Sequence, residues 1–184
     1  MLLILWIIIA LIFLVIIIFI SYYNRFAILV NRIENSASQI DVQLKKRADL
    51  VPNLIETVKG YAKYEKSIMT EVINARRALL GAKTLNDKVK AGNKLQEALK
   101  SIIAIGEQYP QLRASENFRE LQQELASIED KIAYARQFYN DSILEYDNLR
   151  STFPGNFFAS LYKRKELPYL KITEEERKAV KVKF

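Results

Sequence analysis

The chain opens on an unbroken apolar stretch. Residues 1–20 carry no charged side chain. As a helix rising 1.5 Å per residue, they measure about 30 Å, which is the thickness of the hydrocarbon core of a bilayer. A cleaved signal peptide would show a basic start and a small-residue cleavage site, and neither occurs before Tyr22. Because Tyr22, Tyr23 and Arg25 also suit a membrane interface, we predict an uncleaved anchor over residues 1–22.

After the anchor, apolar residues recur every three or four positions, which is the spacing of amphipathic helices. The stripes run from Phe26 to Leu44, from Leu54 to Leu79, from Leu95 to Ile102 and from Phe118 to Leu149. Thr84 and Asp87 form a capping-box pattern ahead of the third stripe, and Pro154 and Gly155 end the fourth. The pattern therefore predicts four helices.

Pro52 falls between the first two stripes. A proline in the interior of a helix destabilises that helix by about 3 kcal/mol or more. Lys45, Lys46 and Arg47 suit the end of a helix, and Asp49 suits the cap of the next, with Pro52 in its first turn. We favour a chain reversal at residues 47–51. The alternative is a single kinked helix, because the spacing of three and four continues in register past the proline.

These elements predict an all-α protein, with an N-terminal transmembrane helix followed by an antiparallel up-and-down four-helix bundle. The predicted boundaries are an anchor over 1–22, a helical bundle over 23–153 and a basic, aromatic C-terminal tail over 154–184. The sequence has no cysteine, so disulfides and thiolate metal sites are excluded.

Three segments resemble the LemA family of bacterial membrane proteins: IDVQLKKRADLVPNLIETVKGYAKYE at 40–65, EQYPQLRASENFRELQQELASIEDKIAYARQFYN at 107–140, and STFPGNFFA at 151–159. The resemblance covers residues 23–160. It implies one N-terminal membrane helix and a four-helix bundle, and it implies no enzymatic activity and no cofactor. The chain departs from the family pattern at Tyr64, where histidine is frequent, and at Asp147, where asparagine is usual.

Catalytic and metal chemistry find little support in the residue types. The chain has no histidine, which excludes di-iron Glu-x-x-His sites, zinc protease sites and histidine-based triads. We therefore predict no catalytic residues, no cofactor and no metal. Several polar residues fall on or near the apolar stripes, and we expect them to form ion pairs that fix helix register rather than a recognition cluster. They are Arg47, Glu65, Arg76, Glu129, Arg136 and Asn140.

The net charge of +7 is concentrated in the tail, where residues 163–183 hold eight basic and four acidic side chains. An anchored chain with this distribution favours lipid headgroups over nucleic acid. In an up-and-down bundle the fourth helix returns to the membrane, so the tail arrives beside the bilayer. We predict a lipid interface there, the alternative being that the aromatics close the base of the bundle. The candidate residues are Phe157, Phe158, Tyr162, Lys163, Arg164 and Lys165.

The leading functional hypothesis is a non-enzymatic structural or assembly protein of the bacterial inner membrane that forms homo-oligomers. Apolar residues beside the main stripes motivate self-association: Ile55, Met69, Ile73, Leu80 and Ile103. The alternative is a membrane-tethered adaptor that binds a partner protein through the bundle groove, in signalling or proteolytic control. Arg25 and Arg32 follow the anchor and no cation precedes it, which predicts a cytoplasmic bundle, with a periplasmic or extracellular one as the alternative.

Overall fold

A computed structural model describes residues 1–62 and 64–170. Throughout these residues the regular elements are helices, as predicted, and no strand occurs among them. The helices are α1 (Leu2–Lys59), α2 (Lys66–Gly81), α3 (Leu85–Gln108), α4 (Pro110–Ala114), α5 (Glu116–Ser151) and α6 (Gly155–Leu161). The part of the predicted tail from 171 to 184 lies outside the described residues.

The chain forms two compact units. The first, which we call the anchor unit, comprises residues 1–35 together with residues 137–170, and the second, the helical unit, comprises the described residues of 36–136. Helices α1 and α5 each contribute residues to both units.

Helix α1 is the one element in the described ranges that is long and apolar enough to cross a membrane. Its most apolar window has a mean hydropathy of 3.7, and none of that window is buried by other parts of the protein. Side chains of this kind, exposed along a helix, are matched by lipid rather than by water.

The predicted reversal at residues 47–51 is wrong. Helix α1 continues through Pro52 to Lys59, and the next helix, α2, begins at Lys66. Asp49 does not cap a helix, because it lies in the interior of α1. Its carboxylate accepts a hydrogen bond from the Lys45 ammonium one turn earlier, at 2.8 Å. The alternative of a helix that continues past the proline is the one observed.

A hydrogen bond from α2 explains how α1 tolerates Pro52. Proline has no N–H, so the Ala48 carbonyl oxygen four residues earlier loses its partner within the helix. The Arg76 side chain supplies the missing donor, with its Nε 2.7 Å from that oxygen. Apolar packing around the proline adds further stabilisation. Val51, Leu54 and Ile55 are all buried, and burial of each side chain stabilises the fold by about 1.5–3 kcal/mol. Together these contributions exceed the cost of a proline inside a helix.

Two other helices begin and run as the pattern predicts. Thr84 caps α3 by accepting a hydrogen bond from the Asp87 amide at 3.1 Å, as the capping box requires. Along α5, the predicted stripe from Phe118 to Leu149 is buried at most of its positions, including the polar Ser142. The Ser142 hydroxyl donates to the Phe138 carbonyl, which satisfies it within its own helix.

We expect the Arg76 contact to contribute more to stability while residue 52 is proline. Arg76→Met should lower the free energy of unfolding by about 1–3 kcal/mol, because the buried Ala48 carbonyl loses its donor. In the Pro52→Ala background an N–H is restored to that carbonyl, and the same change should cost about 1 kcal/mol less. The four proteins can be compared by urea titration of the helical circular dichroism signal in mild detergent.

Arg77→Met is the matched control, since Arg77 is exposed and lies next to Arg76 on α2. An equal loss from Arg76→Met in both backgrounds would contradict this account.

Candidate functional site

Aromatic rings gather where the apolar stretch of α1 ends, inside the anchor unit. The Phe158 ring stacks on Tyr22 with centroids 4.3 Å apart and meets Phe19 edge-on at 5.1 Å. The Tyr162 ring meets Tyr23 edge-on at 5.5 Å. Such pairs add about 0.5–1.5 kcal/mol each beyond the area they bury. We call the set the aromatic cluster: Phe19, Tyr22, Tyr23, Phe26, Phe158 and Tyr162.

Two further contacts fix α6 in this cluster. The Tyr162 hydroxyl donates to the Phe19 carbonyl oxygen at 2.8 Å. Gly155 lies so close to the end of α5 that a Cβ there would overlap the Leu149 carbonyl oxygen. Helix α6 is therefore held against α1 by rings and a hydrogen bond, and against α5 by a contact that only glycine permits.

The segment after α6 runs along α5 in an irregular conformation, held through its backbone. The Tyr146 hydroxyl donates to the Lys165 carbonyl at 2.8 Å, and the Tyr139 hydroxyl donates to the Pro168 carbonyl at 3.2 Å. Burial raises the pKa of both tyrosines, so their hydroxyls remain protonated donors. Asn140 donates to the Leu170 carbonyl at 3.1 Å and accepts from the Leu170 amide at 3.0 Å.

The residues predicted for a lipid interface differ in exposure: some pack inside the anchor unit and others are exposed. Phe158 is buried, Tyr162 is half-buried, and Phe157 is exposed. Among the three cations, Lys163 and Lys165 are exposed, whereas the Arg164 guanidinium lies 5.9 Å from the ring centroids of Tyr23 and Phe26.

The sequence pattern did not single out Phe19 as a partner of α6. The signal available was the run of aromatics at 19, 22, 23 and 26, whose spacing of three and four places them on one side of a helix.

In the helical unit, Arg47 is the centre of the predicted polar cluster. It is 2% exposed, and its guanidinium donates to the Gly92 carbonyl at 3.2 Å and to the Glu129 carboxylate. Burial and the positive charge of Arg136 lower the pKa of Arg47 to about 10. It therefore stays protonated at neutral pH, and its contact with Glu129 is an ion pair.

The structure brings three of the six predicted polar residues together and places the other three elsewhere. Arg47, Glu129 and Arg136 interact. Arg76 serves the Ala48 carbonyl, and Glu65 precedes α2 as its N-cap residue without a side-chain capping bond. Asn140 belongs to the anchor unit, where it binds Leu170.

A cavity of about 180 Å³ adjoins this ion pair, between α1, α3 and α5. Pockets for small ligands typically measure about 300–1,000 Å³, so the space is small for one. Its lining includes Arg47, Gln96, Gln122 and Glu129. Among residues 1–62 and 64–170, no group of three or more metal-ligating side chains occurs. A buried ion pair beside so small a cavity favours a role in fixing the register of the helices over a role in binding a ligand.

Comparison with known proteins gives the family. The family model for LemA matches residues 36–184. The chain belongs to the LemA family. This confirms the resemblance found in the sequence and, with the apolar part of α1, supports membrane association.

The curated relatives of this LemA-family chain are magnetosome proteins. Magnetosome protein MamQ of Magnetospirillum gryphiswaldense is 23% identical over 173 residues, which cover 80% of this chain and 64% of the relative. Magnetosome proteins MamQ 1 and MamQ 2 of Paramagnetospirillum magneticum are each 25% identical over 172 residues, covering 78% of this chain and 63% of theirs. The matches thus span slightly less than two thirds of the relatives' length.

We expect the Arg47–Glu129 pair to behave as a unit. Glu129→Met should lower the free energy of unfolding by about 1–3 kcal/mol, because a buried cation near Arg136 loses its carboxylate. The double variant Arg47→Met/Glu129→Met should recover most of that loss, because no buried charge remains. Urea titrations measure both, with exposed Glu124→Met on α5 as the control.

The pH dependence has a defined sign. The folded pKa of Arg47, about 10, lies below the ordinary value for an arginine. The protonated guanidinium therefore weakens the folded state at every pH below about 10, and the deficit of Glu129→Met relative to the double variant should shrink as the pH rises through that value. A double variant that is less stable than Glu129→Met at neutral pH would contradict the paired account.

Proposed function

We propose that this LemA-family protein is a single-pass, non-enzymatic structural or assembly module of the bacterial inner membrane that forms homo-oligomers. The observation that carries the proposal is a pair of apolar side chains on α2, Ile73 and Leu80, which are 41% and 48% exposed. They are seven residues apart, so they lie on the same side of the helix two turns from each other.

The structure divides the apolar residues that motivated self-association. Ile55 and Met69 are buried in the helical unit and Ile103 is half-buried, so these three already have intramolecular neighbours. Ile73 and Leu80 remain as the exposed pair. An exposed apolar surface is a common feature of interfaces, and anchoring in a membrane raises the local concentration of copies.

The proposal includes an up-and-down arrangement of the long helices, in which α2 follows the end of α1 at Lys59. Contacts inside the helical unit support it: Arg47 of α1 bonds to α3 and α5, and Asp41 of α1 accepts from Lys88 of α3 at 2.7 Å. A non-enzymatic role is supported by a composition that lacks the imidazole and thiol groups of many active sites.

One groove supports the adaptor alternative. It lies between α2 and α3, measures about 980 Å³, and is lined by residues that include Lys66, Glu71, Asn74, Lys94 and Glu97. Its mixture of charges suits a polar protein segment better than a small apolar ligand. In this second candidate function, the anchored chain binds a partner protein there.

The orientation we propose is cytoplasmic for the part after the anchor, on the basis of Arg25 and Arg32 beyond the apolar stretch. In spheroplasts, that part should resist protease added from outside until the inner membrane is permeabilised, and detection by antibody against the C-terminal part provides the readout. Digestion from outside in intact spheroplasts would place it in the periplasm.

Ile73→Gln/Leu80→Gln should weaken self-association at least about tenfold, since losing about 1.4 kcal/mol from the interface suffices for that factor. The mass of the full chain is measured in mild detergent and in nanodiscs across a concentration series, against a monomer of 21.4 kDa. Wild-type protein should form a homomeric particle larger than the monomer.

The control is Ile28→Gln, which removes an apolar side chain of α1 that is 58% exposed. A wild-type chain that stays monomeric at every concentration would contradict the assembly proposal. If that monomer also binds one defined protein through the α2–α3 groove, the adaptor function takes its place.

A further inference from the structure

The position of α6 relative to the anchor is fixed by its contacts with Phe19. This residue lies one position before the end of the apolar stretch of residues 1–20. The Phe158 ring packs on the Phe19 ring, and the Tyr162 hydroxyl bonds to the Phe19 carbonyl. When residues 1–20 occupy the hydrocarbon core, α6 therefore lies at the depth where that core meets the headgroups.

Helix α6 has an inner and an outer face, and both contain apolar side chains. On the inner face, Gly155, Phe158 and Ala159 are buried. Facing outward are Leu161, which is 52% exposed, Phe157 at 58%, and Phe153 just before the helix at 87%. Phe157 and Leu161 are four residues apart within α6, so they lie on one side of that helix. Phe153 lies before Pro154, outside the helix, and is exposed as well. We call these three residues the outward row. The inner face is accounted for by α1 and α5.

Cations accompany the outward row. Lys163 and Lys165 follow α6 and are exposed, and Arg25 is exposed on α1, two turns after Phe19. An apolar row beside basic residues matches the chemistry of an acyl-chain boundary beneath anionic headgroups.

We propose that α6 is an interfacial helix and that the outward row, Phe157 and Leu161 on α6 and Phe153 just before it, is inserted in the lipid bilayer around the anchor. Phe158 and Tyr162, from the same segment, hold α6 on α1 instead of contacting lipid, and Lys163 and Lys165 face the headgroups. The chain thus meets the membrane through two elements that are distant in sequence. This inference rests on the membrane anchoring of residues 1–20 and is independent of self-association.

The test uses tryptophan as a depth probe in the full chain, reconstituted in vesicles of phosphatidylcholine and phosphatidylglycerol. The native Trp6 lies in the anchor and is replaced by phenylalanine. Phe157→Trp is then introduced, and in a second protein Leu161→Trp. Both tryptophans should emit at shorter wavelength than in water, and lipids brominated near the headgroup end of the acyl chain should quench each at least about threefold more strongly than the control.

The control is Ile28→Trp in the same Trp6→Phe background. Ile28 is exposed on the same helix as the anchor, nine positions after Phe19 and so about 13 Å further along the axis. Wild-type protein supplies a second reference, because Trp6 must be quenched by brominated lipid if the anchor spans the bilayer.

Each result decides the matter. Strong quenching in the Phe157→Trp and Leu161→Trp proteins, with little in Ile28→Trp, supports the interfacial helix. A short-wavelength emission from positions 157 and 161 without bromine quenching would show that protein, such as a second copy, covers the row, and the proposal fails. Quenching of Trp6 with water-like emission from positions 157 and 161 overturns the proposal while anchoring stands. Absence of quenching even at Trp6 overturns both.

Discussion

Helix α1 can run past Pro52 because another helix supplies the hydrogen-bond donor that proline lacks. The Ala48 carbonyl is buried with its residue, and a buried carbonyl without a donor costs about 1–3 kcal/mol. The Arg76 Nε meets this need at 2.7 Å. The contact also joins α2 to α1. Helix α1 is therefore unbroken to Lys59, instead of ending near residue 47, and the next helix begins at Lys66.

The residue next to Ala48, Arg47, connects α1 to two further helices. Arg47 bonds to a carbonyl of α3 at Gly92 and to a carboxylate of α5 at Glu129. Hydrogen bonds have directional requirements that apolar packing lacks, so one buried guanidinium discriminates between registers that apolar stripes of equal spacing would accept. Burial and the positive charge of the neighbouring Arg136 both disfavour the charged form of Arg47 and lower its pKa. Removal of the Glu129 carboxylate would therefore destabilise the packing of α1, α3 and α5 in the helical unit.

In the anchor unit, the rings and hydroxyls of aromatic residues have separate uses. The rings of Phe158 and Tyr22 stack, which places α6 on α1. The hydroxyls of Tyr139 and Tyr146 donate to backbone carbonyls of the segment beyond α6. Because these bonds are made to backbone carbonyls, they do not depend on which side chains the segment carries. The segment accordingly lies along α5 with neither the periodicity of a helix nor the alternation of a strand, and hydropathy patterns did not reveal its path.

The sequence by itself determined the apolar stretch of residues 1–20, the helical class, the family, the cap at Thr84 and the buried stripe of α5. Each depends on the order and spacing of neighbouring residues, which local geometry converts directly into structure. Only the tertiary structure decided the outcome at Pro52, because the donor that rescues Ala48 lies 28 positions away, at Arg76. It likewise decided that Arg76 and Asn140 serve backbone groups and that Phe157 and Phe158 face opposite ways. A helical pattern says which side chains share a face, but which face is covered depends on the segments that pack against it.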